Sequence, residues 1–390
     1  MPDSPRFAIR TITAGVHIDP SDSLAPFESA VGFLEVARRR FEDGGWPVQS
    51  TRIATQPQSD LYRFLASERA LQVLRDLDKA AADAGQIISL GPLVEDNEDA
   101  TEFPAWSAAL AAETEQLFFS VVIAAPPSEI HYRSVQTAAE AILAISRIGH
   151  NGEANFRFGA AARIPAGTPF FPVAFHWGPA AFSIALESAG LVGEAFAQAS
   201  DPGTAAAVLQ PVLEEALAPV EERAQEVSTE MGWRFRGIDL SPAPSLDASI
   251  AGPIEALTGQ PFGSPSTLVA CAAITRALDT ARLTRCGYSG LMLPMLEDRV
   301  LARRAEEGRF SIGDLLLFSS VCGTGLDVIP LPGDIDSGVL SRLILDVAAL
   351  ASRLKKPLAA RLLPIPGKRV GDRVDFANPH LTSSVVLSPD

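Results

Sequence analysis

Residues 287 to 334 read GYSGLMLPMLEDRVLARRAEEGRFSIGDLLLFSSVCGTGLDVIPLPGD and crowd ionisable and nucleophilic side chains among glycine and proline turns. Cys322 sits in a VCGTG turn, Glu297 and Asp298 are adjacent, Asp327 opens an apolar run and Asp334 follows Pro332-Gly333. Carboxylates far apart in the chain but delivered to one rim suit a hard cation, so Glu187, Asp239, Asp298 and Asp334 are candidate ligands for Mg²⁺ or Ca²⁺. Glu297 and Asp327 are candidate acid/base groups. Cys322 is a candidate nucleophile if a cation, a helix N-terminus or a histidine stabilises its thiolate. His176, in an aromatic and proline-rich stretch, is a further catalytic candidate. Arg157, Arg361 and Lys368 are candidate anion binders.

Each of these has a plain structural alternative. Glu297 or Asp298 can cap the helix that follows, and Asp334 can cap the helix beginning at Ser337. Arg361 and Lys368 can form structural ion pairs with the same acids. His176 can be a satisfied core residue, and Cys322 can be a small buried side chain at a tight turn.

Elements that place such residues emerge from the hydrophobic periods. Short runs such as FAIRTITAG, VQSTRIAT, IISLGPL, LFFSVVIA and FRFGAAARI alternate with helical stretches at about 26–43, 59–84, 103–115 and 134–148. That repeated rhythm is the signature of a largely parallel sheet or barrel with helices outside. AGTPFFPVAFHWGPAA, too broken for regular structure, reads as a folded-in loop leading to a strand FSIALE that ends at Glu187. A long helix or helix pair follows at about 204–230, then a strand WRFRGIDLS ending near Asp239. An amphipathic helix at 337–354 precedes a last strand in PLAARLLPIPGK, giving about ten strands in all.

Composition excludes several classes of function. The chain has 390 residues, 47% of them hydrophobic, so it can bury a large core, and no linker or repeat divides it. A single α/β domain spanning 1–390 is the expectation. A net charge of -15 opposes binding to nucleic acid or an anionic membrane surface. The three cysteines have no C-x-x-C spacing, which fits a reducing, cytoplasmic setting better than a disulfide framework. The longest apolar runs are far below the roughly 18 residues of a membrane span. No organic cofactor motif is present, and the many apolar helices are compatible with a homodimer.

The strings NFRFGAAARIPAGTPFFPVAFH, GIDLSPAP, GYSGLMLPMLED, FSSVCGTGLDVIPLPGD and RLLPIPGKRVGDRVDF, in that order, resemble the bacterial and archaeal family called domain of unknown function 711. The resemblance covers nearly the whole chain. It implies a fold, not a reaction: a single large α/β barrel similar to that of the glycyl radical enzymes such as pyruvate formate-lyase, with Cys322 on a loop entering the cavity. Gly371, in KRVGDR, lacks the surrounding glycyl-radical signature, so radical chemistry is not expected. The function expected from the residues is an enzyme acting on a small polar or anionic metabolite, metal-assisted, as a hydrolase, lyase or isomerase. The competing class is a metabolite-binding or regulatory protein without turnover.

Overall fold

The structure, a computed structural model, describes residues 6–19, 22–64, 67–126, 129–321 and 323–390. Cys322 lies outside the described residues. The strands of the main sheet in chain order are β1 (Ala8–Gly15), β2 (Val48–Ala54), β3 (Ile87–Val94), β4 (Leu117–Ala125), β5 (Glu129–Ile130), β6 (Phe158–Ala162), β7 (Ala181–Glu187), β8 (Arg234–Ala243), β9 (Gly325–Pro332) and β10 (Leu358–Ile365), and two short strands, Arg373–Val374 and Ser384–Val385, pair separately.

These ten form one mixed sheet in the order β8-β7-β1-β2-β3-β4-β6-β10-β9, with β5 paired to β4. Strands β1, β2, β3, β4 and β6 run parallel. The parallel pairs β7-β8 and β9-β10 flank them, antiparallel to β1 and β6 respectively. The βα rhythm of the first third produces the parallel half, because parallel neighbours need a crossover that a helix supplies.

The sheet is strongly curled, and the loop between β6 and β7 shows it. Phe170 packs with Ala185 and Ala243 of β7 and β8, Phe171 with Ala54 and Phe118 of β2 and β4, and Val173 with Ala161 and Ala359 of β6 and β10. In a flat sheet β8 and β10 would lie roughly 34 Å apart, far beyond the reach of four consecutive residues. The sheet therefore wraps around this loop. Thr13 Oγ1 donates to the Pro169 carbonyl at 3.1 Å, and Ser89 Oγ lies within hydrogen-bond distance of the Pro172 and Ala174 carbonyls. Such inward hydroxyls satisfy a buried irregular backbone that would otherwise be costly. Close approach also needs small residues: a Cβ on Gly159 would lie 2.9 Å from Pro172 and Val173 side-chain atoms.

Residues 284–295 join the two sheet edges. On the β8 side Ile238 N–H donates to the Thr284 carbonyl at 2.9 Å and Cys286 N–H to the Ile238 carbonyl at 3.1 Å. On the β9 side Gly323 N–H donates to the Leu291 carbonyl at 3.0 Å and Met295 N–H to the Asp327 carbonyl at 3.2 Å. Gly290 and Gly323 face each other so closely that a Cβ on Gly290 would sit 2.5 Å from the Gly323 Cα.

Twelve α-helices are present among the described residues. The stretch expected as a helix or helix pair is one helix, Pro202–Met231. Asp201 caps it, accepting from Gly203 N–H at 2.8 Å, and Leu209, Leu213, Leu217, Val220, Ala224 and Val227 form its buried stripe. The burial gained along that stripe holds the helix together through two internal prolines, Pro211 and Pro219. Among the described residues no helix is long and apolar enough to cross a membrane.

Candidate active site

A cavity of about 930 Å³ opens where the parallel strands begin. Gln49 near the start of β2, Ile87 at the start of β3, Phe118 of β4 and Phe156 just before β6 line it, and Phe170, Phe171 and Pro172 of the inserted loop close it from below. Its wall carries Arg10, Arg52, Arg361, Glu297, Asp327 and Tyr288.

Local irregularities deliver these side chains. The pairing of β1 with β7 slips between Ile9 and Thr11, on either side of Arg10. That of β10 with β9 slips between Ala360 and Leu362, on either side of Arg361. Bulges re-aim the residue they contain, and here both contain an arginine. Beside Asp327, Val328 holds a φ of 49°, a left-handed conformation that is strained for a β-branched residue.

The charges then pair. Arg10 Nη2 donates to Glu297 Oε2 at 2.6 Å, Arg361 Nη2 to Glu297 Oε1 at 2.8 Å, and Arg361 Nε to Asp327 Oδ1 at 2.5 Å. Arg10 also donates from Nη1 to the Pro244 carbonyl at 2.9 Å, and the Arg361 guanidinium lies 4.9 Å from the centre of the Phe156 ring. Burial alone would push Glu297 up, but Arg10 and Arg361 outweigh it and hold its carboxyl below the usual range. Arg361 is likewise opposed by burial, yet Asp327 and Glu297 raise its pKa.

Arg52 is different. Its Nε donates to Ser50 Oγ at 3.3 Å and its guanidinium lies 5.3 Å from the centre of the Phe171 ring, but among the described residues its Nη groups meet no acceptor. Burial first, then repulsion from Arg10 and Arg361 against a partial offset from Glu297, lower its pKa to about 9. Tyr288 is pushed well above the ordinary phenol value by burial and the Asp327 charge, so its hydroxyl stays protonated at neutral pH.

Of the residues expected to act, Glu297, Asp327, Arg361, Arg157 and Glu187 line this cavity, and the rest of those described do not. Arg157 has its guanidinium committed to the Ala111 and Leu117 carbonyls, and Glu187 accepts from Gln49 Nε2 at 2.8 Å. Asp239, fully buried, accepts from the Ser241, Tyr288 and Ser289 N–H groups and the Ser241 hydroxyl, fastening residues 288 and 289 to β8. Burial outweighs these donors and raises its pKa to about 6.

Asp298 caps the helix Arg299–Glu306 through Val300 and Leu301 N–H and also accepts from Ile250 N–H, Ala251 N–H and the Ser249 hydroxyl. Asp334 is exposed, and the helix from Ser337 is capped by Asp336, two residues later than the sequence suggested. Lys368 is half-buried in a turn outside the cavity lining. The four carboxylates expected to hold Mg²⁺ or Ca²⁺ are thus not brought together, and among the described residues no group of three His, Cys, Asp or Glu has a metal-binding arrangement.

His176 also lies outside this cavity. It is buried, with Nε2 2.9 Å from the Gly178 carbonyl and its ring packed on Gly15, and burial lowers its pKa. Arg10, Arg52 and Tyr288 were missed by sequence reasoning. The signal available was an arginine inside each of two short β-branched runs, FAIRTITAG and VQSTRIAT, where parallel strands covered on both faces ordinarily carry only apolar residues.

Fold and site together define a mixed α/β protein whose curled sheet encloses an arginine-lined cavity. The family model described as Uncharacterised ACR (DUF711) matches residues 1–380, and the chain belongs to that family. A UPF0210 protein of Pyrobaculum arsenaticum is 33% identical over 276 residues, covering 67% of this chain and 60% of that protein. The UPF0210 protein of Pyrobaculum islandicum is 30% identical over 401 residues, 94% of this chain and 87% of that one. That of Methanocaldococcus jannaschii is 28% identical over 375 residues, 89% and 81% respectively.

Proposed function

We propose that this protein is an enzyme that binds a small anionic metabolite in the cavity and works on it by proton transfer. The carrying observation is Arg52: Arg10 and Arg361 are neutralised by Glu297 and Asp327, whereas Arg52 presents unpaired guanidinium donors to the cavity. A half-buried cation without a counter-ion is costly, and a bound carboxylate or phosphate supplies one. In this reading Arg52 anchors the anion, Asp327 accepts a proton and the protonated Tyr288 hydroxyl donates one. Strain beside Asp327 at Val328 supports a functional rather than a structural purpose for that turn. Glu297 holds Arg10 and Arg361 in place. Divalent-metal assistance is not part of the reading, because Asp239 and Asp298 are committed to N–H and hydroxyl donors.

We further propose that the curled sheet is a barrel of the pyruvate formate-lyase-like kind, residues 284–295 serving as the irregular stave that closes it. Hydrogen bonds from that segment to both β8 and β9 support this.

The test is calorimetry with phosphate, acetate and malonate, followed by incubation with a metabolite extract read by mass spectrometry. At least one anion should bind the wild type, and Arg52→Gln should bind it ten- to a hundredfold more weakly, the equivalent of about 1.4 to 3 kcal/mol for a charged hydrogen bond. Substrate consumption that disappears in Asp327→Asn supports the enzyme. Binding with no consumption of any metabolite would favour a sensor, and no binding at all would overturn the anchor.

A further inference from the structure

Resting on that reading, the charges left over after ion pairing define the ligand more narrowly. Two half-buried lining cations have no ion pair among the described residues: Arg157, whose guanidinium is spent on Thr114 Oγ1 and the Ala111 and Leu117 carbonyls, and Arg52, which alone of the two keeps free Nη donors. Toward solvent the lining acids Glu115, Glu187 and Asp247 have no ion pair among the described residues; Arg157 acts electrostatically on Glu115, and the exposed Arg299 offsets one more charge, which leaves a negative remainder. Glu153, the fourth acid there, is used in holding Ala377 and Asn378 N–H groups of the C-terminal segment.

Register fixes where the two remainders lie. Glu187 closes β7 opposite Ala8, at the outer end of β1, and takes its one hydrogen bond from Gln49 near the start of β2. Arg52 is three residues further along the same strand, opposite Thr13, so the backbone positions of Gln49 and Arg52 are roughly 10 Å apart along β2. A simple dianion entering this cavity would leave one charge beside Glu187. A molecule with an anion at one end and an ammonium at the other would meet a complementary group at both.

We propose that the cavity binds a small zwitterion, its carboxylate or other anionic group on Arg52 and its ammonium group at the mouth on Glu187. An amino acid with the two groups separated by several carbons fits the layout. The unpaired carboxylate then has a purpose that an anion-only site would not give it: it sorts aminated from non-aminated acids and sets which end enters first.

The experiment uses four five-carbon probes of similar length, 5-aminopentanoate, pentanoate, glutarate and pentylamine, titrated into the full-length protein by calorimetry. The zwitterion should bind at least tenfold more tightly than pentanoate, and more tightly than glutarate or pentylamine. Glu187→Gln should remove that tenfold preference while leaving pentanoate binding within about twofold. Arg52→Gln should weaken both acids. Circular dichroism and melting temperature of each variant establish that it is folded, and the probe ranking in the wild type stands even if a variant does not fold. Pentanoate or glutarate binding as tightly as 5-aminopentanoate would overturn the zwitterion while leaving the anion anchor intact. No binding by any of the acids would overturn both.

Discussion

Arg361 illustrates how much can rest on one side chain. Its guanidinium serves Asp327 and Glu297 together while lying against Phe156, and only 10% of its side-chain surface is exposed. Replacing it with leucine would strand Asp327 and leave Glu297 to Arg10 alone, and removing one partner of a buried ionic group costs about 3 to 5 kcal/mol. Urea denaturation of Arg361→Leu should show a loss of that size, and a loss below about 1 kcal/mol would mean that water reaches the acids freely. Sequence reasoning identified Glu297 and Asp327 as candidates among the acids clustered in residues 287–334, and Arg361 as a candidate anion binder. It could not assign them to one network, since they are separated by up to 64 positions and meet only where the paired β9 and β10 pack against the turn that carries Glu297.

Single elements show the same division. A carboxylate just before a helix is visible in the sequence, but not how many N–H groups it will serve. Asp298 satisfies donors at the starts of two helices, so Asp298→Ala should cost about 2 to 4 kcal/mol from lost capping and orphaned donors. Asp334→Ala, on an exposed side chain, should stay within about 0.5 kcal/mol in the same thermal or chemical melt.

The inserted loop carries a pH dependence through His176. Its folded pKa lies below the ordinary value, so well above that value it is neutral in both states and contributes no difference. As pH falls through about 6.5 the unfolded chain takes up a proton that the folded state resists, and stability is lost down to the folded pKa. Melting temperature measured from pH 7.5 to 5 should therefore fall less steeply in His176→Gln than in the wild type. Parallel slopes would mean that His176 titrates freely in place.

At the scale of the whole molecule, a net charge of -15 surrounds a cavity that presents an unpaired arginine. The long-range field repels a small anion on approach, whereas the contact with Arg52 is short-range. Screening acts over about 10 Å at 0.1 M salt, so it weakens the repulsion more than the contact. Stopped-flow association of a simple anionic probe should accelerate about twofold between 10 and 200 mM salt. A zwitterionic probe should change less, because it carries no net charge to repel. Equal responses would mean that the mouth does not sense ligand charge.

The sequence by itself determined the strand and helix alternation of the first third, the inserted aromatic loop and the family, because periods of 2 and 3.6 residues, capping residues and motif strings are local properties of the chain. It also marked out residues 287–334, which do contribute Tyr288, Glu297 and Asp327 to the cavity. Tertiary structure alone decided which acids are spent on N–H groups, that His176 serves the loop instead of the cavity, and that Arg10, Arg52 and Arg361 converge. The physical reason is that a side chain's availability depends on the partners that long-range strand pairing brings within about 3 Å of it, and that pairing is not written in any one segment.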